Sequence, residues 1–211
     1  MSQIKELFIR TDADNRIGIG HLMRCLVLAQ EFKKQGSKVT FISACEKNII
    51  RNRITDEGFQ LVSIDNSYPN KGDLETTLLT INNSLSSNKW IVIDGYHFDT
   101  HYQESIKNYG NRLLVIDDTA HLNRYVADII LNQNIIAKEL IYSCEPGTKL
   151  LLGTNYVLLR DEFLAYKNWN RNIPKVAKKI LVIMGGGDLD NVTFKVLSAF
   201  DQIDIDGLEI K

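Results

Sequence analysis

The chain has 211 residues, of which 44% are hydrophobic and 24% are charged, with 25 Lys and Arg against 26 Asp and Glu. This balance is typical of a globular protein and gives no basic excess for binding nucleic acid. No segment approaches the ~18 apolar residues of a membrane span, and the N-terminal residues carry charges that a signal peptide lacks. We therefore expect a cytoplasmic protein with neither nucleic acid nor membrane as partner.

Seven short apolar runs predict buried strands: 7–9, 39–42, 61–64, 90–93, 113–116, 129–131 and 180–184. Most are rich in Ile and Val, as is typical of parallel strands covered on both faces. Helix-length segments lie between them, and the clearest begins at His21 and closes at Gly36. This alternation predicts an α/β fold with a doubly wound parallel sheet.

A polar stretch around Pro174 interrupts this pattern. After it come the apolar run 180–184, a glycine loop, the helix-like segment 191–200 and a terminal LEIK. We predict an N-terminal α/β domain over 1–170 and the beginning of a second α/β domain over 171–211. One strand, one helix and the start of another strand cannot cover both faces of a sheet, so we expect this second domain to be truncated.

The first strand leads through a polar loop with two glycines into the helix that begins at His21. In open α/β sheets, ligands bind beyond the carboxyl ends of the strands. Gly18 and Gly20 allow backbone amides at the helix start to approach an anion, so this loop is a candidate cradle for a diphosphate or a sugar. Met23 stands where the dinucleotide fingerprint has its third glycine, so we expect no nicotinamide cofactor, and no other cofactor is indicated.

His21 is the candidate general base. The helix dipole disfavours the imidazolium form, so a neutral ring able to accept a proton is expected. The alternative is a helix-start histidine that hydrogen-bonds a neighbouring carbonyl. Arg10, Asp12 and Arg24 flank the same junction and are candidate ligands of the sugar or phosphate. A local salt bridge that shapes the loop is an equal alternative for them.

Asp94 ends the fourth predicted strand, and Asp117 and Asp118 end the fifth. Their carboxylates should meet His21 at one edge of the sheet. At least one of Asp117 and Asp118 is expected to cap a turn, which leaves open which one faces the substrate; Asp118 is the candidate.

Two histidines and a late glycine loop complete the candidates. His97 and His101 are four residues apart, but the H-E-x-x-H pattern of a zinc site is absent, so we expect no metal. Gly186 and Asp188, in the loop before residue 191, could present a second helix N-terminus to a phosphate, or simply form a tight turn.

Seven short motifs lie in an order that resembles one protein family. They include Arg10-x-Asp12, Gly18-x-Gly20-His21-x-x-Arg24, Asp94-x-Tyr96, Asp117-Asp118 and Tyr156-x-Leu158-Leu159-Arg160-x-Glu162-Phe163. In these residues the chain resembles the UDP-sugar hydrolases of pseudaminic acid biosynthesis and related spore-coat polysaccharide proteins. The motifs span nearly the whole chain.

The resemblance implies a glycosyltransferase-B-like architecture of two doubly wound domains. It implies metal-independent hydrolysis of UDP-2,4-diacetamido-2,4,6-trideoxy-β-L-altropyranose, with inversion and with His21 as the base. It also implies that Asp12, Asp94 and Tyr96 line the sugar side, while the nucleotide binds mainly to the second domain. Two alternatives remain: a glycosyltransferase that passes a similar sugar to an acceptor, and a sugar-binding subunit that works with a partner chain.

Overall fold

The computed structural model describes residues 5–14, 17–45, 47–184, 188 and 190–211. The chain divides into two compact units, Met1–Glu162 and Phe163–Lys211. The sequence placed this boundary at residue 170, slightly later than the structure does. Each unit is described by itself.

The first unit is built on a seven-stranded sheet. Its strands are β1 (Glu6–Thr11), β2 (Lys38–Ser43), β3 (Gln60–Ser63), β4 (Lys89–Asp94), β5 (Arg112–Ile116), β6 (Ile129–Asn132) and β7 (Lys149–Leu152). All neighbouring strands pair in parallel, in the order β3-β2-β1-β4-β5-β6-β7. The order reverses between β1 and β4, and this switch point is where open α/β sheets bind ligands.

Helices lie on both faces of this sheet. They are α1 (Gly20–Lys34), α2 (Asn48–Asp56), α3 (Lys71–Asn82) and α4 (Thr100–Lys107). The short α5 (Asp161–Leu164) follows where the first unit ends along the chain. Successive residues of a strand point to opposite faces. Leu7 and Ile9 accordingly share a core with α1 and α2, whereas Phe8 shares a second core with α3 and α4. The predicted doubly wound α/β fold is confirmed.

Helix α1 carries the candidate base and is fixed firmly to the sheet. Leu22, Cys25, Leu26 and Ala29 follow a spacing of three and four residues, and all are buried. Burial of a leucine such as Leu22 stabilises the fold by roughly 1.5–3 kcal/mol. The first turn of α1 has no side-chain cap, because Ile19 stands at the N-cap position.

Six predicted strands of the first unit are confirmed, and β7 is the strand that the sequence did not predict. It has four residues and lies at the sheet edge, and its apolar run is three leucines without β-branched Ile or Val. The helix-length segment expected between the strands at 113–116 and 129–131 does not form a helix. A loop connects β5 to β6, and a 3-10 turn, Ala137–Glu139, lies between β6 and β7.

The second unit contains β8 (Lys179–Ile180), α6 (Val192–Phe200) and β9 (Glu209–Ile210). The two strands pair in parallel. The strand predicted at 180–184 is shorter than expected, although Val182 N–H still donates to Lys211 O at 2.8 Å. Among the described residues, no helix has the length and apolar character needed to cross a membrane.

Candidate active site

A cleft of about 500 Å³ opens at the carboxyl ends of β1 and β4. Its lining residues are Asp14, Ile17, His21, Ser67, Tyr68, Tyr96 and His97. They come from the loops after β1, β3 and β4, which reach the same edge because the strands are parallel. The cleft thus occupies the place that the fold predicts for a ligand.

His21 lies at the start of α1 and is paired with Asp94, the last residue of β4. Its Nδ1 is 2.6 Å from Asp94 Oδ1, and the two side chains are 11% and 0% exposed. Nδ1 also lies 3.1 Å from Arg24 Nη2, but that nitrogen already donates to Asp94 Oδ1 at 2.6 Å. A carboxylate can only accept a hydrogen bond, so the shorter contact, with Asp94, assigns the proton to Nδ1. Nε2 then keeps its lone pair, which is the form of imidazole that can accept a proton.

Arg24 lies one turn further along α1 and bridges two aspartates. Its Nε and Nη2 donate to the two oxygens of Asp94 at 2.5 and 2.6 Å, and its Nη1 donates to Asp118. Although burial alone would lower the pKa of Arg24, its hydrogen bonds to these carboxylates raise the pKa above the usual value. We call Arg24, Asp94 and Asp118 the Arg24 cluster. It fixes the carboxylate that orients His21.

Tyr96 covers this cluster from the cleft side and is 48% exposed. Its hydroxyl donates to Asp118 Oδ2 at 3.2 Å, and its ring meets the His21 ring edge-on at a centroid distance of 5.0 Å. Partial burial and the charge of Asp118 raise the pKa of Tyr96. Tyr96 therefore stays protonated at neutral pH and lies in position to contact a ligand beside His21.

Arg10 and Asp12 lie beneath the cleft rather than in it. Both are 0% exposed, and the guanidinium donates to Asp12 and to Asp73 of α3. Arg10 also lies over the Phe98 ring, 4.9 Å from its centroid. We call Arg10, Asp12 and Asp73 the Arg10 cluster. The structure thus shows Arg10 and Asp12 in the salt bridge that the sequence offers as the alternative, with no exposed surface of their own for a ligand.

Asp12 is held as a carboxylate by several donors. Burial would raise its pKa, but hydrogen bonds from His97 and Arg10 outweigh burial and lower the pKa below its usual value. The backbone N–H of Ala44 also donates to it, at 2.7 Å. Asp12 therefore joins the loops after β1, β2 and β4.

The two neighbouring aspartates after β5 have different roles. Asp117 is 1% exposed and accepts hydrogen bonds from the backbone N–H groups of Thr119 and Ala120, as a turn-capping residue does. Asp118 turns instead to Arg24 and Tyr96. The open choice between them is thus resolved by the direction of each side chain.

Gly18 and Gly20 border the start of α1. Gly18 has φ +77°, a conformation that favours glycine, and an added Cβ at Gly20 would meet no atom within 4 Å. Gly186 lies outside the described residues. Asp188 accepts hydrogen bonds from the backbone N–H groups of Val192 and Thr193 at 2.7 and 2.9 Å, so it caps α6. Both oxygens of Asp188 thus serve the cap, and phosphate binding at this helix start stays a prediction.

Of the seven lining residues, sequence reasoning assigned His21 and Tyr96 to the site. Ser67 and Tyr68 follow β3, and the rule that parallel strand ends share an edge would have placed them here. His97 was considered beside His101 for metal binding, but the structure separates them. His97 faces the cleft and pairs with Asp12, whereas His101 is exposed on α4.

No protein-family model matches the chain. Over 206 residues the chain is 31% identical to the UDP-2,4-diacetamido-2,4,6-trideoxy-beta-L-altropyranose hydrolase of Campylobacter jejuni, covering 92% of the chain and 65% of that protein. Over 199 residues it is 27% identical to an uncharacterized protein of Methanocaldococcus jannaschii, covering 91% of the chain and 39% of that protein.

The crystal structure of MurG from Acinetobacter baumannii has a similar fold. The TM-score is 0.54 at 11% sequence identity, covering 95% of this chain and 58% of that one. The expected glycosyltransferase-B-like fold is thereby confirmed. The chain spans between 39% and 65% of the lengths of these three proteins.

Proposed function

We propose that the chain processes a UDP-linked sugar and that its reaction is hydrolysis of a UDP-2,4-diacetamido-2,4,6-trideoxy sugar. The hydrolase of Campylobacter jejuni, 31% identical over 92% of the chain, supports this substrate class. The observation that carries the proposal is the His21–Asp94 pair in the switch-point cleft. Fold likeness alone would not select a reaction.

Hydrolysis needs a base that can take a proton from water. In this mechanism a water molecule attacks the anomeric carbon of the sugar while His21 Nε2 accepts one of its protons. The bond between the anomeric carbon and the diphosphate oxygen breaks, and its electron pair leaves with UDP. Attack opposite to the leaving group inverts the anomeric configuration. Asp94 holds the Nδ1–H tautomer and stabilises the imidazolium that forms.

The leaving group makes a strong general acid unnecessary, because a diphosphate is already stable as an anion. The departing diphosphate needs nearby positive charge that offsets its own negative charge. The uncapped first turn of α1, at Gly20, offers backbone N–H groups and the positive end of the helix dipole. We place the sugar or its diphosphate against this turn. Nucleotide binding by residues 171–211, which belong to the second unit, remains a prediction.

Oxygen-isotope labelling tests the bond that breaks. The purified chain is incubated with the UDP-sugar in water enriched in oxygen-18, and the products are analysed by mass spectrometry and NMR. We expect release of UDP, label on carbon 1 of the sugar and none in UDP, with the inverted anomer formed first. Label in the β-phosphate would mean attack at phosphorus and would contradict the mechanism.

The dependence of UDP release on an acceptor distinguishes hydrolysis from the two alternatives, a glycosyltransferase and a sugar-binding subunit. UDP release that requires an added sugar or lipid acceptor would show a glycosyltransferase. Calorimetric binding of the UDP-sugar without release of UDP would favour a sugar-binding subunit that needs a partner chain. Hydrolysis at the same rate with and without an acceptor is the result that the proposal predicts.

A further inference from the structure

Two histidine–aspartate pairs connect the chain segments that follow β1 and β4 at the switch point. The first turn of α1, which follows β1, carries His21, and this residue pairs with Asp94 at the end of β4. The loop after β4 carries His97, which pairs with Asp12, the residue that follows β1. Both histidines line the same cleft. The cleft therefore contains a second oriented imidazole that the proposed mechanism does not use.

The two pairs use opposite ring nitrogens. Asp94 contacts Nδ1 of His21, whereas Asp12 contacts Nε2 of His97 at 2.9 Å. Because hydrogen bonds hold Asp12 as a carboxylate in spite of its burial, Nε2 of His97 donates the proton. Nδ1 of His97 thus keeps its lone pair, and no residue in the described part of the chain donates a hydrogen bond to it.

Packing fixes the ring of His97 as well as its tautomer. The ring lies 4.1 Å from the Phe98 ring, centroid to centroid. On another side it approaches Gly95 so closely that an added Cβ would lie 2.7 Å from Cε1 and 3.0 Å from Nδ1. The side chain nevertheless keeps 20% of its surface exposed. A ring held in this way loses little freedom when it binds a ligand.

We propose that His97 is a sugar-binding residue, whose Nδ1 accepts a hydrogen bond from a hydroxyl or acetamido N–H group of the substrate. Asp12 is its positioning residue, and the Arg10 cluster anchors Asp12. This inference rests on the proposed function, since it assumes that the sugar occupies the cleft. A fixed acceptor of this kind selects for sugars that carry a donor at the matching position.

Two substitutions of His97 distinguish the roles of its two ring nitrogens. In His97→Gln the side-chain amide can still donate to Asp12 from the place of Nε2, but nothing replaces Nδ1. In His97→Asn the side-chain carbonyl stands near the place of Nδ1, but the contact with Asp12 is lost. His101→Ala is the matched control, because His101 is an exposed histidine outside the cleft. Calorimetry then measures the Kd of each protein for the intact UDP-sugar and for UDP.

We expect His97→Gln to weaken binding of the UDP-sugar about tenfold and to leave binding of UDP unchanged. His97→Asn should retain more of the sugar affinity but melt at a lower temperature, and His101→Ala should match the wild type in binding. Equal loss for UDP and UDP-sugar would overturn the inference, because it would place the contact on the diphosphate. Unchanged affinity in His97→Gln would overturn it as well.

Nitrogen-15 NMR of the histidine rings gives a second test on the unsubstituted protein. His97 should carry its proton on Nε2, and its Nδ1 resonance should shift when the UDP-sugar binds but not when UDP binds. An Nδ1–H tautomer, or no shift with the sugar, would contradict the inference. Failure of the proposed function looks different: the UDP-sugar binds and shifts His97, but no UDP is released.

Discussion

The Arg10 cluster and the Arg24 cluster have the same composition, and each contacts a histidine of the cleft, but they differ in exposure to solvent. In each, one arginine bridges two aspartates, and one of the aspartates also holds a histidine. The charged side chains of the Arg10 cluster are 0% exposed. In the Arg24 cluster, Arg24 and Asp118 keep 11% and 16% of their side-chain surface exposed.

The tyrosines that complete the clusters show the same difference. Tyr102, which donates to Asp73, is 0% exposed, whereas Tyr96, which donates to Asp118, is 48% exposed. Residue types and pairing therefore do not distinguish structural from functional charge groups. Exposure does: the Arg10 cluster is closed to solvent and reaches the cleft through His97, whereas the Arg24 cluster is partly exposed and borders the cleft at Tyr96 and His21.

Replacement of Asp94 by Asn should have the largest effect. The introduced amide can donate to Nδ1 of His21, which would move the ring proton to Nε2 and remove the base. We expect kcat to fall by about 10²–10⁴-fold. Asp117→Asn is the control, since this buried carboxylate contacts His121 rather than His21. If the two variants lose activity equally, the tautomer argument is wrong.

Replacement of Arg10 by Met tests the buried cluster. Asp12 and Asp73 would be left as buried carboxylates without their cation, so we expect a loss of about 3–5 kcal/mol in the free energy of unfolding, measured in urea. Arg24→Met should cost less, because water can reach Asp118. A larger loss for Arg24→Met would reverse the assignment of the two clusters.

The free energy of unfolding at low pH tests the buried Arg10 cluster in a second way. The pKa of Asp12 is lower in the folded protein than in the unfolded chain, so its contribution to stability is present above about pH 4 and is lost as the pH falls towards the folded value. The free energy of unfolding should fall more steeply with acid in the wild type than in an Asp12→Asn variant. Parallel curves for the two proteins would show that Asp12 is not held in this way.

The smallest effect concerns Tyr96. The charge of Asp118 is one of the causes that raise its pKa, so Asp118→Asn should lower the pKa of Tyr96. The absorbance titration of phenolate, taken as the difference from a Tyr96→Phe protein, isolates this one tyrosine. A pKa that stays constant or rises would mean that Asp118 does not face Tyr96.

The sequence predicted the sheet and the edge at which the site lies. Buried Ile and Val runs located six strands of the first unit, and parallel strand ends then placed His21 near Asp94. It did not predict which charged residues reach the cleft. Arg10 is two residues from Phe8 on β1, so both point to the face of α3 and α4, away from α1 and His21. The alternation of side chains along β1 could therefore have predicted that Arg10 points away from His21.

Other features depend on contacts between distant residues. Asp73 is 63 residues from Arg10, and no local pattern marks it as that arginine's partner. The role of His97 depends likewise on Asp12, 85 residues earlier. Periodicity reports the face of an element but not which side chains meet at the end of a sheet, so these pairs needed the structure.

The most direct test of the central claim compares chemistry and binding in a His21→Asn variant. If Nε2 of His21 takes the proton from water, kcat should fall by about 10²–10⁴-fold while the Kd for the UDP-sugar stays within a few-fold of the wild-type value. A kcat that changes only a few-fold, in a variant that still binds the sugar, would contradict the assignment of His21 as the base.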